Sequence, residues 1–591
     1  MKKRFVRLMA VMLAAAVLCA VPVSASEQTM TVKTVYKDIG ANTEIYAVSD
    51  TAGADYKYYG AKWEPKGGAY FGRTLQGGAV SGGWGVVNSQ QLSSESAVSF
   101  YYELNDPYTL EYWSYLYGKV IQDGKHALLI NLNYTAEGDD CSRILSGAYD
   151  TKLVQAFTYL GTLSCPVFVR IGGEMNVWTK MPTTSGFISS YQHIAKLARQ
   201  YAPNAALVFS PNFSGSYKVD MDSFYPGDAY VDWIGTSLYY NKYATNGDTK
   251  NDAFYGVGQY GDALLNIQQT VNLSNIHRKP VIVTEGGSAY TCVNKDASAF
   301  APERVQRAYS FLTMVYPQVK CLIYSDTNFG GTANQYALHN NASMTAAYDK
   351  GVQSNPTLRR NCNEAASYYT KLSSYPATWS GTVQLRAYTY SSDKPVANWY
   401  IDGKWAGTAA DYPYAFSVNA DALAAGSHTV TVKFSNGASK SYSFQANAVT
   451  ANPTNNPLFV DGVQKQLSVY KIDGSNYFKL RDIAALLSGS EKQFSVDYDN
   501  SVKSVTVASG KSYTPDGSEL KPASSTGSVT AAKSSNSIYI NGQKMDLSVY
   551  KINGNNYFKL RDLGAALDFY VGYDNAAKSV TISGKSGYQA D

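Results

Sequence analysis

The sequence is poor in charge, and it lacks both basic tracts and long apolar runs. Only 16% of its 591 residues are charged, with 51 Lys and Arg against 46 Asp and Glu. Nucleic acid binding needs a basic surface, and a spanning helix needs about 20 apolar residues. Neither pattern occurs beyond the N-terminus. We therefore expect no nucleic acid partner and no membrane in the mature form.

Cysteine and histidine are also scarce. The five histidines show no HxH or HExxH spacing, so we expect no metal site and no cofactor. The cysteines form no CxxC pair. Apart from Cys19 near the N-terminus, they are Cys141, Cys165, Cys292, Cys321 and Cys362. These five allow at most two disulfides, and their pairing stays open.

The N-terminal 25 residues have the pattern of an export signal. Four of the chain's basic residues lie between positions 2 and 7, and an apolar run over 8–21 and the small-residue sequence Val23-Ser24-Ala25 follow. This pattern predicts a signal peptide at 1–25, removed after Ala25. We expect a secreted or cell-surface-associated protein.

The C-terminal part contains an internal repeat. Residues 467–482 (LSVYKIDGSNYFKLRD) and 547–562 (LSVYKINGNNYFKLRD) are nearly identical, and each is followed by a second matching block around Tyr-Asp-Asn. Each copy predicts two strands around an Asx-Gly turn, a short helix and a β-hairpin. We expect two small α+β repeats at 457–508 and 535–585, separated by a linker at 509–534.

These repeats resemble the copper amine oxidase-like N-terminal, or stalk, domain of surface proteins in Gram-positive bacteria. The resemblance implies a module for attachment, with the cell wall as a candidate partner. It does not imply oxidase chemistry, because residues 451–591 contain no histidine to bind copper. Carbohydrate binding by the repeats stays open. The chain shows no LPxTG-like motif, so we expect any surface attachment to be non-covalent.

Residues 378–447 predict a β-sandwich. Short alternating strands are joined by turn residues there, for example in WYIDGKWAG at 399–407. This phrase and AGSHTV at 425–430 resemble bacterial immunoglobulin-like spacer domains. We expect Trp399 and Trp405 to be core and edge aromatics.

Residues 30–375 have the length and pattern of a (β/α)8 TIM barrel. Continuous apolar runs predict parallel strands buried on both faces, and 187–201 shows the apolar period of a helix. The eight predicted strands are 69–75, 96–102, 126–134, 166–171, 206–210, 231–237, 280–284 and 319–325.

Two of these strands end in a glutamate. Strand four runs into RIGGEMN with Glu174, and strand seven runs into TEGGS with Glu285. Barrel active sites lie at this end of the strands, and two carboxyl groups facing one cleft are what glycoside hydrolysis requires. One must carry a proton and the other must be ionised, and Arg170 is a candidate donor for the ionised one. An ordinary ion pair inside the barrel is an equal alternative for Arg170.

Residues 65–370 resemble the family 26 glycoside hydrolases. The markers are RIGGEMN at 170–176, FSPN at 209–212, YPGDAYVDWIGTSLYYN at 225–241, and Glu285. The resemblance implies that Glu174 is the acid/base and Glu285 the nucleophile. It also places Tyr239 near the nucleophile and Trp178 as a stacking wall for sugar. The remaining expected substrate-binding residues are Arg170, Asn176, Asn212 and Asp326.

One position departs from the family pattern. Gly173 stands where the family usually has His beside the acid/base. We expect a secreted, retaining endo-β-glycosidase that acts on a polysaccharide, with mannan favoured and β-glucan or xylan as alternatives. Two rivals stay open: a non-catalytic polysaccharide-binding protein, and a cell-surface adhesion protein with a degenerate barrel.

Overall fold

The chain forms two compact units. A computed structural model describes residues 43–74, 94–134, 140–176, 183–212, 221–243, 261–292, 295–327, 334–339, 341–391, 393–423, 426–446, 449–500, 504–521, 527–534 and 536–590. The first unit comprises the described residues up to 375 with 384–416 and 431–442; the second comprises 376–383, 417–430 and those from 443 onward. The predicted signal peptide lies outside the described residues.

The first unit contains a closed barrel of eight parallel strands in chain order. We number them barrel strands 1–8: Tyr70–Thr74, Ala97–Glu103, Ala127–Asn133, Val167–Ile171, Ala205–Phe209, Trp233–Tyr239, Val281–Gly287 and Val319–Tyr324. Strand 8 pairs with strand 1 and closes the sheet. The predicted barrel is thereby confirmed, and every predicted strand overlaps an observed one. Continuous apolar runs identify these strands because both faces are buried.

The barrel interior is layered. At the amino-terminal ends of the strands, which we call the lower part, lies an apolar cluster that includes Phe168, Trp233 and Ile282. Above it lies a polar layer, in which the Asn131 amide donates to the Ser99 hydroxyl at 2.8 Å. The apolar floor excludes water from below, so that electrostatic interactions in the polar layer are strong.

Helices cover the outside of the barrel. The predicted helix at 187–201 is observed at Thr184–Tyr201, and it starts where the Thr183 hydroxyl accepts from the Gly186 N–H at 3.1 Å. The other α-helices of the first unit are Leu110–Trp113, Gly118–Ile121, Asp140–Leu145, Asp150–Gly161, Ala263–Asn266, Gln268–His277, Ala301–Val315 and Ala342–Ser354. Its 3₁₀ turns are Ser114–Leu116, Met221–Phe224 and Leu372–Ser374. Within the described ranges, no helix has the length and apolar character needed to cross a membrane.

Further strands lie outside the barrel. Before residue 447 they are Glu44–Ser49, Thr291–Cys292, Lys295–Asp296, Tyr368–Lys371, Thr378–Trp379, Thr382–Tyr388, Ala397–Ile401, Lys404–Ala409, Phe416–Asn419, Gly426–Phe434 and Ser439–Ala446. A 3₁₀ turn spans Ala420–Ala422. In the first unit, Trp399 is fully buried against Phe416, whereas Trp405 is 65% exposed. The five cysteines in the described residues are free thiols.

The two repeats in the second unit have matching elements. The first has strands Val449–Pro453, Leu458–Val460, Val463–Lys465, Val469–Ile472, Ser475–Lys479, Phe494–Asp499 and Ser504–Ser509, with helix Leu480–Leu487. The second has strands Val529–Lys533, Ser537–Ile540, Gln543–Met545, Val549–Ile552, Asn555–Lys559, Tyr570–Asp574 and Ser579–Ser583, with helix Leu560–Leu567. The strand Val529–Lys533 lies inside the segment 509–534, where we expected only a linker.

The repeats exchange hairpins with each other. The hairpin Leu458–Lys465 of repeat one joins the last hairpin of repeat two, since Leu458–Val460 pairs with Ser579–Ser583. Reciprocally, Ser504–Ser509 of repeat one pairs with Ser537–Ile540 of repeat two. A closed six-stranded barrel combines three strands from each copy. Both copies therefore contribute to one hydrophobic core and do not form separate modules.

Candidate active site

Barrel strand 7 presents Glu285 at its carboxyl end. The pairing of strands 6 and 7 shifts between Thr236 and Ser237, so that Ser237 lies opposite Glu285. An irregularity of this kind redirects the side chains that follow it. The next residue, Gly286, lies so close to strand 6 that a Cβ there would stand 2.2 Å from the Leu238 carbonyl oxygen. The local sequence thus holds Glu285 firmly in place, with 8% of its surface exposed.

Four side chains surround the Glu285 carboxyl group. Its Oε1 accepts from Arg170 at 2.8 Å and from the Ser237 hydroxyl at 2.7 Å. Its Oε2 accepts from the Tyr101 hydroxyl, and the Tyr239 hydroxyl stands 3.5 Å from the same oxygen. Arg170 also donates to Ser237 at 2.7 Å, which ties the donors together. The guanidinium predicted as a donor therefore contacts the predicted nucleophile directly.

Glu174 follows barrel strand 4 in a strained turn. Gly172 and Glu174 have φ angles of +57° and +63°, in the left-handed region. A non-glycine residue is held there only at a cost of about 1–2 kcal/mol. The Glu174 N–H donates to the Ser210 carbonyl at 2.9 Å, which fixes the turn against strand 5. Strain of this kind, at a carboxyl group at the barrel's carboxyl end, is typical of a functional position.

Two asparagines position the Glu174 carboxyl group. The Asn212 amide donates to Glu174 Oε1 at 2.5 Å. Asn176 holds Asn212 by its backbone: its amide donates to the Asn212 carbonyl at 2.9 Å, and its side-chain oxygen accepts from the Asn212 N–H at 2.8 Å. Asn176, which we expected to bind substrate, thus uses its amide groups to fix the residue that contacts Glu174.

The surroundings drive the pKa values of the two glutamates apart. Burial, and then the nearby Glu285 charge, raise the pKa of Glu174 to about 7. Burial alone would also raise the pKa of Glu285. The Arg170 charge and the donors Tyr101, Ser237 and Arg170 outweigh burial and lower the pKa of Glu285 below its usual range. One carboxyl group therefore keeps its proton near neutral pH, while the other is ionised.

Gly173 lies directly beneath the Arg170 guanidinium. A Cβ at position 173 would stand 2.1 Å from Arg170 Nε and 2.2 Å from its Cζ. No side chain fits there unless Arg170 moves away from Glu285. The Arg170 guanidinium thus fills the space that a side chain at position 173 would need.

Asp326 lies just after barrel strand 8 and already has partners on both oxygens. Arg73 donates to Oδ2 at 3.0 Å, while Oδ1 accepts from the Leu338 N–H at 2.8 Å and lies 3.0 Å from His339 Nδ1. Burial acts to raise its pKa, but His339, Arg73 and the Leu338 N–H lower it overall. Its predicted contact with substrate stays a prediction. Trp178 lies outside the described residues.

Sequence reasoning missed Tyr101, Ser237 and Asn131. Tyr101 and Ser237 donate to Glu285, and the Asn131 side-chain oxygen lies 3.4 Å from Arg170. A sequence signal was present, because alternation along barrel strand 2 places Tyr101 on the same face as Ser99. In a chain with 50 tyrosines, however, that signal does not single out one residue.

No group of three His, Cys, Asp or Glu side chains in the described part of the chain is arranged to hold a metal ion. The carboxyl groups of Glu174 and Glu285 can transfer protons and act as nucleophiles.

The fold and the site define the first unit as a (β/α)8-barrel protein with two carboxyl groups at the carboxyl end of the barrel. Residues 374–432 match the family model for a bacterial Ig domain, which confirms the predicted immunoglobulin-like region there. No curated protein matches the chain.

Several solved structures are similar to the chain. An endo-β-1,4-mannanase double mutant from Cellulomonas fimi is 12% identical, with 73% of this chain and 98% of that chain covered and a TM-score of 0.38. A family 26 β-mannanase from Bacteroides ovatus is 15% identical, with 50% and 90% covered and a TM-score of 0.36. The catalytic domain of a family 26 endo-β-1,4-mannanase from a Bacillus species is 16% identical, with 49% and 85% covered and a TM-score of 0.34.

Proposed function

We propose that the chain is a retaining glycoside hydrolase, with Glu285 as nucleophile and Glu174 as acid/base. The observation that carries this proposal is the contrast between the contacts of the two glutamates. The Arg170 guanidinium and two hydroxyl groups donate to Glu285, whereas Glu174 accepts from the neutral Asn212 amide, and the pKa of Glu285 is accordingly lowered while that of Glu174 is raised. Double displacement requires this division of roles, one carboxyl group protonated and the other ionised.

In the first step, a Glu285 carboxylate oxygen attacks the anomeric carbon. The bond from that carbon to the leaving oxygen breaks, and Glu174 gives its proton to the leaving sugar. Arg170, Ser237 and Tyr101 hold Glu285 ionised and oriented before the attack. The products of this step are a glycosyl ester on Glu285 and an ionised Glu174.

In the second step, water attacks the same carbon from the opposite face. Glu174 accepts a proton from the water, and the ester bond to Glu285 breaks. Asn212 keeps Glu174 in position for both proton transfers, with Asn176 supporting Asn212. Both carboxyl groups return to their starting protonation states, and the sugar keeps its anomeric configuration.

The substrate we propose is a β-linked polysaccharide, and the protein is exported. Mannan is favoured by the resemblance of residues 65–370 to the family 26 glycoside hydrolases, and β-glucan and xylan stay as alternatives because Gly173 departs from that family's pattern. The segment 1–25 supports secretion. We further propose that the repeats attach the protein to the cell wall, as their resemblance to stalk domains suggests.

A substrate panel tests the proposal. The full mature chain, Glu174→Gln and Glu285→Gln are incubated with galactomannan, xylan, mixed-linkage β-glucan and laminarin, and reducing ends are counted. Glu364→Gln is the matched control, because this carboxyl group is exposed and accepts from the Arg360 N–H, apart from the two glutamates. We expect activity in wild type and control on one polymer, and losses of at least about 10³-fold in the other two variants.

The anomer of the first product decides the mechanism. A β product seen by NMR before mutarotation supports retention, and an α product overturns it. If wild type releases no sugar from any polymer but is retained by one, the non-catalytic binding protein is correct instead.

A further inference from the structure

A cluster of exposed aromatic rings follows barrel strand 2. Tyr108, Tyr112 and Tyr115 are 43%, 51% and 49% exposed. Trp113 lies among them and is half-buried against the apolar cluster between the barrel strands and the surrounding helices. We call these four residues the aromatic shelf. Large aromatic side chains are seldom left in water in such a group, and an exposed patch of this kind marks a binding surface.

The rings of the shelf are held in one arrangement. Tyr108 and Tyr112 stack with centroids 4.3 Å apart and planes 15° apart. Trp113 contacts each of the three tyrosines, with centroids 5.3–6.2 Å away. The shelf is therefore ordered before any ligand arrives, and little conformational entropy is lost on binding.

The backbone ties the shelf to the barrel. The Tyr102 hydroxyl donates to the Tyr108 carbonyl at 3.1 Å, and the Thr109 hydroxyl caps the helix Leu110–Trp113 by accepting from the Tyr112 N–H. Tyr101, on the same strand as Tyr102, contacts Glu285. Tyr108 comes seven positions after Tyr101, so at most about 25 Å separates their Cα atoms. The shelf thus lies on the side of the barrel where the strands end and the glutamates stand.

The chemistry of the shelf selects the ligand. Tyrosine rings offer an apolar face and a polar tip, and the exposure of the three tyrosines leaves both available to a ligand. Charges of both signs lie beside the shelf: Asp106 and Glu111 are accompanied by the exposed Lys119 and by Lys152, which donates to the Asp106 carbonyl. These charges balance and do not favour a charged ligand, whereas the C–H face of a neutral pyranose fits both the rings and their hydroxyls.

We propose that the aromatic shelf is a second binding site for an uncharged polysaccharide, which holds a chain extending from the proposed cleft. This inference rests on the proposed function, because it names the same polymer as the ligand of both sites. The shelf would keep a long chain attached between cleavage events.

The test uses the full chain with Tyr112→Ala and Tyr115→Ala combined. Its control is Tyr58→Ala, since Tyr58 is 47% exposed and its segment packs at the opposite end of the barrel, where Trp63 donates to the Asn204 carbonyl before strand 5. Binding is measured by affinity electrophoresis in gels with galactomannan, xylan or mixed-linkage β-glucan, in wild-type and Glu174→Gln backgrounds. Hydrolysis is measured on the polymer and on its tetrasaccharide.

We expect the double variant to bind one of these polymers at least fivefold more weakly and to have a correspondingly higher KM on it, with a smaller rise in KM on the tetrasaccharide. Tyr58→Ala should match wild type. If the chain proves inactive but the shelf variant still loses polymer binding, the shelf stands and the proposed hydrolysis fails.

Equal polymer binding by wild type and the double variant overturns the shelf, even if hydrolysis is confirmed. So does the absence of binding to all three polymers. A wild-type dimer in sedimentation that dissociates in the double variant would show that a second copy of the chain occupies the shelf, and would also overturn the proposal.

Discussion

Arg170 explains why two chemically identical side chains behave differently. Its guanidinium donates to Glu285 at 2.8 Å, whereas Glu174 accepts a hydrogen bond from the Asn212 amide. A charged donor stabilises an ionised carboxylate more than a neutral donor does. The difference between the two glutamates is therefore built from single contacts, each of which can be removed.

Tyr101→Phe removes one donor to Glu285 and leaves the ring in place. A hydrogen bond to a charged group contributes about 1.5–3 kcal/mol, so kcat should fall about 10–100-fold. In wild type the Tyr101 hydroxyl lowers the pKa of Glu285. Its loss should raise that pKa, so the acid limb of the pH–rate profile should move up by about one pH unit. The alkaline limb should stay near pH 7, where Glu174 loses its proton.

The control for that profile is Tyr70→Phe. The Tyr70 hydroxyl bonds to the Trp63 carbonyl, far from the glutamates, and its loss should leave both limbs in place. A shift of the alkaline limb alone in Tyr101→Phe would contradict the contact assigned to Glu285.

Stability should respond in opposite directions to loss of charge at the two glutamates. The pKa of Glu174 is higher in the folded state than its ordinary value, so ionisation destabilises the fold as pH rises from about 4.5 to 7. Glu174→Gln should therefore match wild type at pH 4 and be more stable at pH 8, by about 1–3 kcal/mol.

Glu285 has the reverse sign. Its pKa is lower in the folded state, so its ionised form adds stability above the unfolded value and loses it as pH falls. Glu285→Gln should be less stable than wild type at pH 8, because Arg170 loses its charged partner. Urea unfolding followed by tryptophan fluorescence measures both variants. A gain in stability for Glu285→Gln at pH 8 would contradict the assignment.

At the scale of elements, the turn after barrel strand 4 does most to shape the site. Its two left-handed residues and the close approach of Arg170 to Gly173 bring Arg170 and Glu174 to the same cleft. The sequence RIGGE indicates a turn with room for close contacts. It does not reveal that the missing side chain at 173 makes space for the arginine, because that depends on the path of the Arg170 side chain.

Gly173→His is the decisive change in this turn. If a histidine beside Glu174 aids catalysis in this barrel, adding one should raise activity. The structure predicts the opposite: the new Cβ displaces Arg170 from Glu285, and kcat/KM falls at least about 100-fold. Gly118→Ala is the control, since a Cβ there meets no atom within 4 Å. Higher activity in Gly173→His would contradict the structural role of Gly173.

The barrel strands were predictable because their burial on both faces leaves continuous apolar runs in the sequence. The residues of the site at the ends of the strands were only partly predictable. Glu174 and Glu285 stand out as carboxyl groups after buried strands, while Tyr101 and Ser237 resemble many other Tyr and Ser residues. The shift in pairing beside Glu285 leaves no mark in the residue pattern.

At the scale of the whole molecule, the internal duplication does not reveal which strands of the two repeats pair with each other. Near-identical copies carry near-identical pairing patterns, so a hairpin can join its own copy or the other one with the same side chains. The reciprocal exchange of hairpins follows from the three-dimensional path alone. It makes the two copies depend on each other for their core.

Phe478→Ala tests this dependence. Phe478 is fully buried and lies opposite Phe558 of the second repeat. Its loss should cost about 3–5 kcal/mol. Hydrogen exchange should speed up in both Ser504–Ser509 and Ser579–Ser583. Val463→Ala, at a residue 57% exposed, is the control and should change neither. Unchanged protection in the second repeat would show that the copies fold independently.

The most direct test of the central claim is chemical rescue by azide, with a dinitrophenyl β-glycoside of the sugar that the substrate panel identifies. In Glu285→Ala, azide takes the place of the nucleophile, and the account predicts an α-glycosyl azide. In Glu174→Ala, the ester on Glu285 still forms and azide replaces water, so the predicted product is the β-glycosyl azide. Exchanged products would reverse the two roles, and no azide product from either variant of an active wild type would contradict the account.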